Sequence, residues 1–365
     1  MRICNACILP ETFPGISFDA DGVCSHCRQF RSKESRVAED KKRYEHKFIE
    51  LLKGLGLFSD DHAPTADEGS VTSTDPCQLS VNRYPYHIIM AYSGGKDSTY
   101  TMALLKEKYG LRVLAVSFDN GFISERSLAN IRSVTDRLEI DHIFFRPSWK
   151  ILKKIFVIAS ERELYAKKTL ERASTICTSC IGIVKSVCLK MAVEQGIPMV
   201  GFGWSPGQAP IQSSIMKNNP SLIRMAQQAI LSPLREIVGE GIEAWFLQER
   251  HYSQPERFPY NVHPMAWEFY NEDMIIKEIG KLGWVAPSDT DSNSSNCLLN
   301  AFANDIHIKK YGFHPYVWEI ANMVREGVMT REDGHHKIYA EQPDTLLEIA
   351  KVKLEIGPKQ DGISL

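Results

Sequence analysis

A glycine-rich turn between an apolar run and a helical pattern is the feature that most constrains the fold of this chain. Residues 87–92 (HIIMAY) lead into Ser93-Gly94-Gly95-Lys96-Asp97-Ser98, and residues 99–108 have the apolar spacing of a helix. The two glycines allow a tight turn and a close approach of the backbone to an anion. Because a helix N-terminus, a lysine and two hydroxyls meet there, the sequence predicts a phosphate-binding loop.

The same run indicates a nucleotide chemistry. It is not a Walker loop, because the four-residue spacer and the Gly-Lys-Ser/Thr ending are missing. It resembles the SGGxDS loop of the PP-loop ATP pyrophosphatases, which adenylate a carbonyl-type oxygen and release pyrophosphate. The resemblance implies that residues 93–98 bind ATP with Mg²⁺ and that Lys96 and Asp97 are catalytic, although Asp97 could equally be a helix cap.

Strand and helix patterns alternate after this loop. Strands are predicted at 112–118, 142–146 and 198–202, with helices at 124–138, 149–165 and 181–194. The alternation predicts an α/β fold with a doubly wound parallel sheet, as in the adenine nucleotide α-hydrolases, and ligands at the carboxyl edge. Asp119, Asn120 and Gly203 follow predicted strands and are candidate nucleotide contacts, while a polar turn is an equal alternative for the first two.

Composition sets the broad class and the division into segments. With 365 residues, we expect a zinc-ribbon-like module at 1–30, a helix and linker at 31–83, a PP-loop domain at 84–230 and a mainly helical substrate region at 231–365. We expect no membrane span and no signal peptide, and therefore a cytoplasmic protein. A net charge of −2 argues against a large nucleic-acid surface but does not exclude a local basic patch.

Nine cysteines, several in Cys-x-x-Cys pairs, favour metal binding in a reducing compartment. Cys4-x-x-Cys7 and Cys24-x-x-Cys27 have zinc-ribbon spacing. Four thiolates would complete the coordination of one Zn²⁺ ion, so the predicted role of that ion is structural. An electron or sulfur relay is the alternative.

A second group consists of Cys177, Cys180 and the distant Cys297. The first two stand at the start of a predicted helix, where the dipole would favour thiolates. Three cysteines would hold a [4Fe–4S] cluster and leave one iron open. A structural zinc, packed free thiols, or a pair without Cys297 are equal alternatives, and Cys188 is predicted to be core.

Three segments resemble the N-acetyl sugar amidotransferases of bacterial surface-glycan synthesis: 4–16, 22–24 and 327–332. That resemblance implies ATP-dependent replacement of an acetamido oxygen by ammonia nitrogen on a sugar-type small molecule, with ammonia from a separate glutaminase. The polar run 289–297 departs from that family's pattern. The alternative is a sulfur transferase that thiolates a small molecule or a tRNA base, using a cluster or persulfide and a sulfur-donor protein. A non-catalytic nucleotide-binding or zinc scaffold is a third interpretation.

Overall fold

A computed structural model describes residues 1–31, 36–57, 84–291, 294, 296–341 and 344–357. The predicted linker at 58–83 lies outside the described residues. The strands are β1 (Ile88–Ala91), β2 (Val113–Phe118), β3 (Asp141–Phe145), β4 (Met199–Phe202), β5 (Ile215–Lys217) and β6 (Tyr260–Val262). The α-helices are α1 (Ser25–Arg31), α2 (Val37–Gly54), α3 (Lys96–Ala103), α4 (Glu125–Arg137), α5 (Trp149–Glu161), α6 (Lys167–Leu170), α7 (Thr175–Gln195), α8 (Pro220–Val238), α9 (Glu249–Tyr252), α10 (Glu272–Gly280), α11 (Asn300–Tyr311), α12 (Val317–Arg325), α13 (Arg331–Tyr339) and α14 (Asp344–Leu354).

The strands form one sheet in the order β3-β2-β1-β4-β6-β5, parallel except for β5. Its central strands β1 and β4 are almost wholly buried, as expected for a parallel sheet covered on both faces. The predicted α/β fold is therefore confirmed. Strands β5 and β6 were not predicted, because three residues are too few to show a period-two pattern.

The described sheet extends past the predicted domain limit at residue 230. That limit lies within α8, and β6 comes later in the chain but pairs with β4. Most of the chain after β6 is helical, as predicted for the carboxyl-terminal region.

Helix α7 is the central helix behind the sheet. Among the described helices, α7 alone has the length and the mean hydropathy (1.7) of a helix that could cross a membrane. Sequence analysis predicted no segment of this kind. It packs against β1 and β4 of the sheet and against α5, α8 and α11. Its Ile183, Cys188 and Ala192 are completely buried, so α7 has the surroundings of a core helix, and the prediction for Cys188 is confirmed.

The amino-terminal cysteine module packs on the carboxyl-terminal helices. Phe13 stacks on Trp318 of α12 with ring centroids 5.4 Å apart. The Thr12 hydroxyl donates to the Gly312 carbonyl oxygen at 2.7 Å, and the Tyr339 hydroxyl donates to the Ile8 carbonyl oxygen at 2.8 Å. The two ends of the chain thus share one apolar cluster.

Candidate functional site

The predicted phosphate loop, residues 93–98, joins β1 to α3 at the carboxyl edge of the sheet. Gly94 has φ +76°, and a Cβ there would lie 2.7 Å from Ile131 Cγ1 and 2.8 Å from the Ser127 carbonyl oxygen. Glycine is therefore required at this position both for backbone conformation and for packing. The hydroxyls of Ser93 and Ser98 lie 3.1 Å apart across the turn.

Lys96 and Asp97 are the first two residues of α3, and their side chains contact each other and the Tyr270 hydroxyl. The Lys96 ammonium lies 2.7 Å from Asp97 Oδ1 and 2.5 Å from the Tyr270 hydroxyl oxygen. The Trp284 indole donates to the Gly94 carbonyl oxygen at 2.9 Å. Sequence reasoning missed Tyr270 and Trp284, because each lies far along the chain from residues 93–98 and neither belongs to a local motif.

Gly203, a predicted nucleotide contact, lies directly after β4 and packs against the start of α3. A Cβ on it would lie 2.3 Å from Ser98 Cα and 2.6 Å from Ser98 N. The absence of a side chain thus lets β4 approach the phosphate loop. Whether Gly203 also contacts nucleotide stays a prediction.

Asp119 and Asn120 follow β2 at the same edge, but their side chains have protein partners. Asp119 accepts from the Gly121 amide at 2.8 Å and pairs with Arg146 at 3.3 Å. The Asn120 side-chain amide donates to the sulfurs of Cys297 at 3.4 Å and Cys180 at 3.7 Å. Their roles toward a nucleotide stay predictions.

The structure brings Cys177, Cys180 and Cys297 into one region, which we call the thiol site. The first two lie in the first turns of α7. Residues 122–124 pair with 296–298 through an Ile123–Cys297 bridge, and the Leu298 amide donates to the Phe122 carbonyl oxygen at 2.8 Å. This pairing places Cys297 in the thiol site, and no local pattern in the sequence predicts the pairing.

Burial opposes ionisation of the free thiols in the thiol site. Burial raises the pKa of Cys177 to about 12 and also raises the pKa values of Cys180 and Cys297. The expectation that the start of α7 would favour thiolates is therefore wrong for the free cysteines, because desolvation opposes the charged form more strongly. A positively charged metal centre would supply the missing compensation.

A cavity of about 320 Å³ lies between the phosphate loop and residues that contact the thiol site, and none of the three cysteines lines it. Its lining includes residues from the phosphate loop, from α10, from the segment 284–294 and from α12. Lys96 and Asp97 line it on one side. On the side of the thiol site, Ser294 and Tyr316 line the cavity. The Ser294 hydroxyl accepts from the Cys297 amide at 3.1 Å. The Tyr316 hydroxyl donates to Asn300 Oδ1 at 3.0 Å.

Glu319 of α12 is a further cavity residue that sequence reasoning missed. Its carboxylate accepts from the Ser205 hydroxyl and, at 3.0 Å, from the Gln208 side-chain amide. Burial raises its pKa to about 7, and the Asp97 carboxylate adds to the effect while Lys96 opposes it. A carboxyl group that titrates near neutrality in a cavity is suited to proton transfer.

The four amino-terminal cysteines form a separate site. Their sulfurs all lie within 4.8 Å of one another, with Cys4–Cys27 at 3.9 Å and Cys7–Cys24 at 3.8 Å. Among the described residues, this is the group of metal-ligating side chains close enough to share a single ion. The donor set of four sulfurs fits a tetrahedral metal site.

Fold and site together define an α/β protein with a mainly parallel sheet, a phosphate-type loop at a central strand, a three-thiol group near the end of the adjacent strand β2, and a four-cysteine group suited to a metal ion. No protein-family model matches the chain. An uncharacterized protein of Methanocaldococcus jannaschii is 24% identical over 264 residues, which is 72% of this chain and 76% of that protein. Neither result tests the resemblance to N-acetyl sugar amidotransferases, which stays a prediction.

Among solved structures, the chain is similar to the U34-tRNA thiolase NcsA from Methanococcus maripaludis, solved with its [4Fe-4S] cluster. The identity is 15%, the TM-score is 0.35, and the match covers 95% of this chain and 96% of that one. A TM-score of this size does not establish a shared fold.

Proposed function

We propose that this protein is an ATP-dependent, AMP- and pyrophosphate-forming transferase that replaces a carbonyl-type oxygen with sulfur. One observation carries the proposal: cysteines from two distant segments meet beside the cavity that Lys96 and Asp97 line. An activated oxygen in the cavity and a sulfur-binding group beside it suit substitution at that oxygen.

The first step needs what the phosphate loop offers. Backbone N–H groups at the start of α3, the two serine hydroxyls and Lys96 would bind the phosphates of ATP with Mg²⁺. The acceptor oxygen then attacks the α-phosphorus, and pyrophosphate leaves with the electron pair of the broken bond. In the second step hydrosulfide forms a carbon–sulfur bond, and AMP leaves with the former carbonyl oxygen.

The thiol site fits a [4Fe–4S] cluster held by Cys177, Cys180 and Cys297. Its three sulfurs are not all close enough together to share a single ion, as the four amino-terminal sulfurs are. A cluster is larger than one ion and would hold its ligand sulfurs farther apart. The Asn120 amide points its N–H groups at two of the sulfurs, which suits thiolate ligands. When bound, such a cluster would supply an open iron as a place for sulfide.

We infer a structural Zn²⁺ ion for Cys4, Cys7, Cys24 and Cys27. The Cys24 amide donates to Cys4 Sγ at 3.2 Å, and the Cys7 amide donates to the same sulfur at 3.4 Å. Such N–H donors stabilise thiolates bound to a metal. The site lies against Arg325 of α12 and Arg331 of α13. Four thiolates leave no open position on the ion, which supports a structural role.

The test combines product analysis with matched cysteine variants. Anaerobically reconstituted protein is incubated with ATP, Mg²⁺ and sulfide, with either unfractionated bacterial tRNA or UDP-N-acetylglucosamine as the acceptor probe. Pyrophosphate release and a product in which sulfur replaces oxygen are expected with one of the probes. Cys180→Ser and Cys297→Ser should lose the sulfur product, whereas Cys188→Ser, buried on the same helix, should retain it.

Amidotransfer is the second candidate, and a specific contact favours it. Segments 4–16 and 327–332, which resemble the amidotransferases, meet in the structure, where Arg331 donates to the carbonyl oxygens of Cys4 and Cys7. The resemblance therefore reflects a connected structural unit. A product that gains nitrogen from ammonium, made equally well by Cys297→Ser, would replace the sulfur-transfer proposal with this one.

A further inference from the structure

The Asn120 side chain lies between the end of β2 and the thiol site. Asn120 is 8% exposed, and its Nδ2 lies 3.4 Å from Cys297 Sγ and 3.7 Å from Cys180 Sγ. These two sulfurs come from segments far apart in the chain. Asn120 is thus a side chain that bridges the α7 cysteines and the Cys297 segment.

The orientation of this amide is determined by its other contact. Asn120 Oδ1 accepts from the Phe122 backbone amide at 2.8 Å, and a backbone N–H can only donate. The NH₂ group must therefore face the sulfurs. The contact also closes a turn directly before residues 122–124, which pair with the Cys297 segment.

The third cysteine has the opposite environment. Cys177 lies 3.9 Å from Asn300 Oδ1, an oxygen that also accepts from the Tyr316 hydroxyl at 3.0 Å. Asn300 Nδ2 donates to the Asp291 carboxylate at 2.8 Å, so this amide too is fixed in orientation. Two sulfurs therefore face the Asn120 N–H groups, and the third lies between the Asn300 carbonyl oxygen and the Ser174 side chain.

We propose that Asn120 is a positioning residue that holds Cys180 and Cys297 as paired ligands and raises the reduction potential of the cluster they bind. This inference rests on the proposed cluster at the thiol site. Hydrogen bonds to ligand sulfurs stabilise the more negative, reduced state, and so raise the potential.

Two variants separate the effect on the cluster from the effect on folding. Asn120→Asp is isosteric and keeps the acceptor for the Phe122 amide, but it removes the N–H donors. Asn120→Ala removes the donors without adding a charge. The control is Asn218→Ala, since Asn218 is equally buried and hydrogen-bonds to Pro259 and Asn261, outside the thiol site.

The full-length chains are reconstituted anaerobically with ferrous iron and sulfide in the presence of zinc. Iron, sulfide and zinc contents are measured, and the reduction potential is determined by a dye-mediated titration followed by electron paramagnetic resonance. Both Asn120 variants should show a more negative potential than the wild type and a faster loss of iron to a chelator. Asn218→Ala should match the wild type in both measurements.

An unchanged potential in both Asn120 variants, with full iron content, would overturn the role of Asn120 and leave the cluster proposal standing. If the wild-type chain takes up no iron beyond background, both the cluster and this inference are overturned. A shift in Asn218→Ala as large as in Asn120→Ala would show that the effect is a general loss of stability, and would also overturn the inference.

Discussion

The Arg331 Nε donates to the carbonyl oxygen of Cys7 at 2.9 Å, joining residues 324 positions apart. Its terminal nitrogen donates to the Cys4 carbonyl oxygen at 3.0 Å. One arginine on α13 thus holds the first Cys-x-x-Cys turn against the carboxyl-terminal helices.

We expect Arg331→Ala to lower the free energy of unfolding by about 1–2 kcal/mol, because two backbone carbonyl oxygens lose their hydrogen bonds to a charged donor. The Zn²⁺ ion proposed for the four cysteines should also be lost faster to a coloured chelator, since the Cys4–Cys7 turn would be less well held. Denaturant melts and the chelation rate are the measurements. Arg132→Ala, on the exposed side of α4, is the control, and equal zinc-loss rates in the two variants would contradict the prediction.

Gly203→Ala should distort the phosphate loop, although residue 203 lies outside residues 93–98. The added methyl group would lie 2.3 Å from Ser98 Cα, so β4 and α3 must move apart. We expect a loss of about 1–3 kcal/mol in stability from overpacking and weaker ATP binding. Calorimetric titration with ATP measures the second effect.

The matched control for this substitution is Gly241→Ala, where nothing lies within 4 Å of the added carbon. It should bind ATP as the wild type does. An unchanged ATP affinity in Gly203→Ala would show that the contact with Ser98 does not shape the loop.

Local sequence patterns predicted the sheet and the phosphate loop because both depend on residues close together in the chain. The helix predicted at 124–138 is found at Glu125–Arg137, where the Ser124 side chain caps its first turn. Of the two glycines expected to give the turn its positive φ, Gly94 has φ +76°, whereas Gly95 has φ −78° and lies in the extended region.

The cavity could not be predicted because its residues meet only through tertiary packing. Tyr270 reaches Lys96 across 174 positions, and Glu319 reaches Ser205 across 114. His307 shows the same limit: its helix carries Asp305, Lys309 and Lys310, yet His307 is 1% exposed and packs near Phe313. Whether the polar face of a helix is buried depends on which elements pack against it. A single sequence does not show those contacts.

Lys96→Met should abolish pyrophosphate release while leaving the fold intact. Methionine keeps most of the aliphatic stem but removes the charge that neutralises phosphate and that lies between Asp97 and Tyr270. Loss of a single electrostatic contact of this kind typically lowers turnover by about 100-fold or more. A coupled phosphate assay measures release, and Lys277→Met, exposed on α10, is the control. Release within twofold of wild type would remove Lys96 from the site.

Glu319 should make stability depend on pH in a defined window. Its folded-state pKa, raised by burial to about 7, lies above the ordinary value of 4.5, so the folded protein holds the proton more tightly than the unfolded chain. The stability from this group is present below pH 4.5 and is lost as the pH rises to about 7, by roughly 3 kcal/mol in all. The charged and titratable neighbours are Lys96, Asp97, Tyr270 and Tyr316.

Glu319→Gln isolates this contribution. Gln208 can rotate its amide to accept from the new NH₂ group, because its own buried Oε1 has no partner among the described residues. The difference in unfolding free energy between variant and wild type should therefore shift in favour of the variant between pH 4.5 and 7. Urea denaturation at pH 5 and pH 8 measures it, with the exposed Glu278→Gln as a control for the loss of one charge. A difference that stays constant across this range would mean that Glu319 is ionised throughout and cannot serve as a proton acceptor near neutral pH.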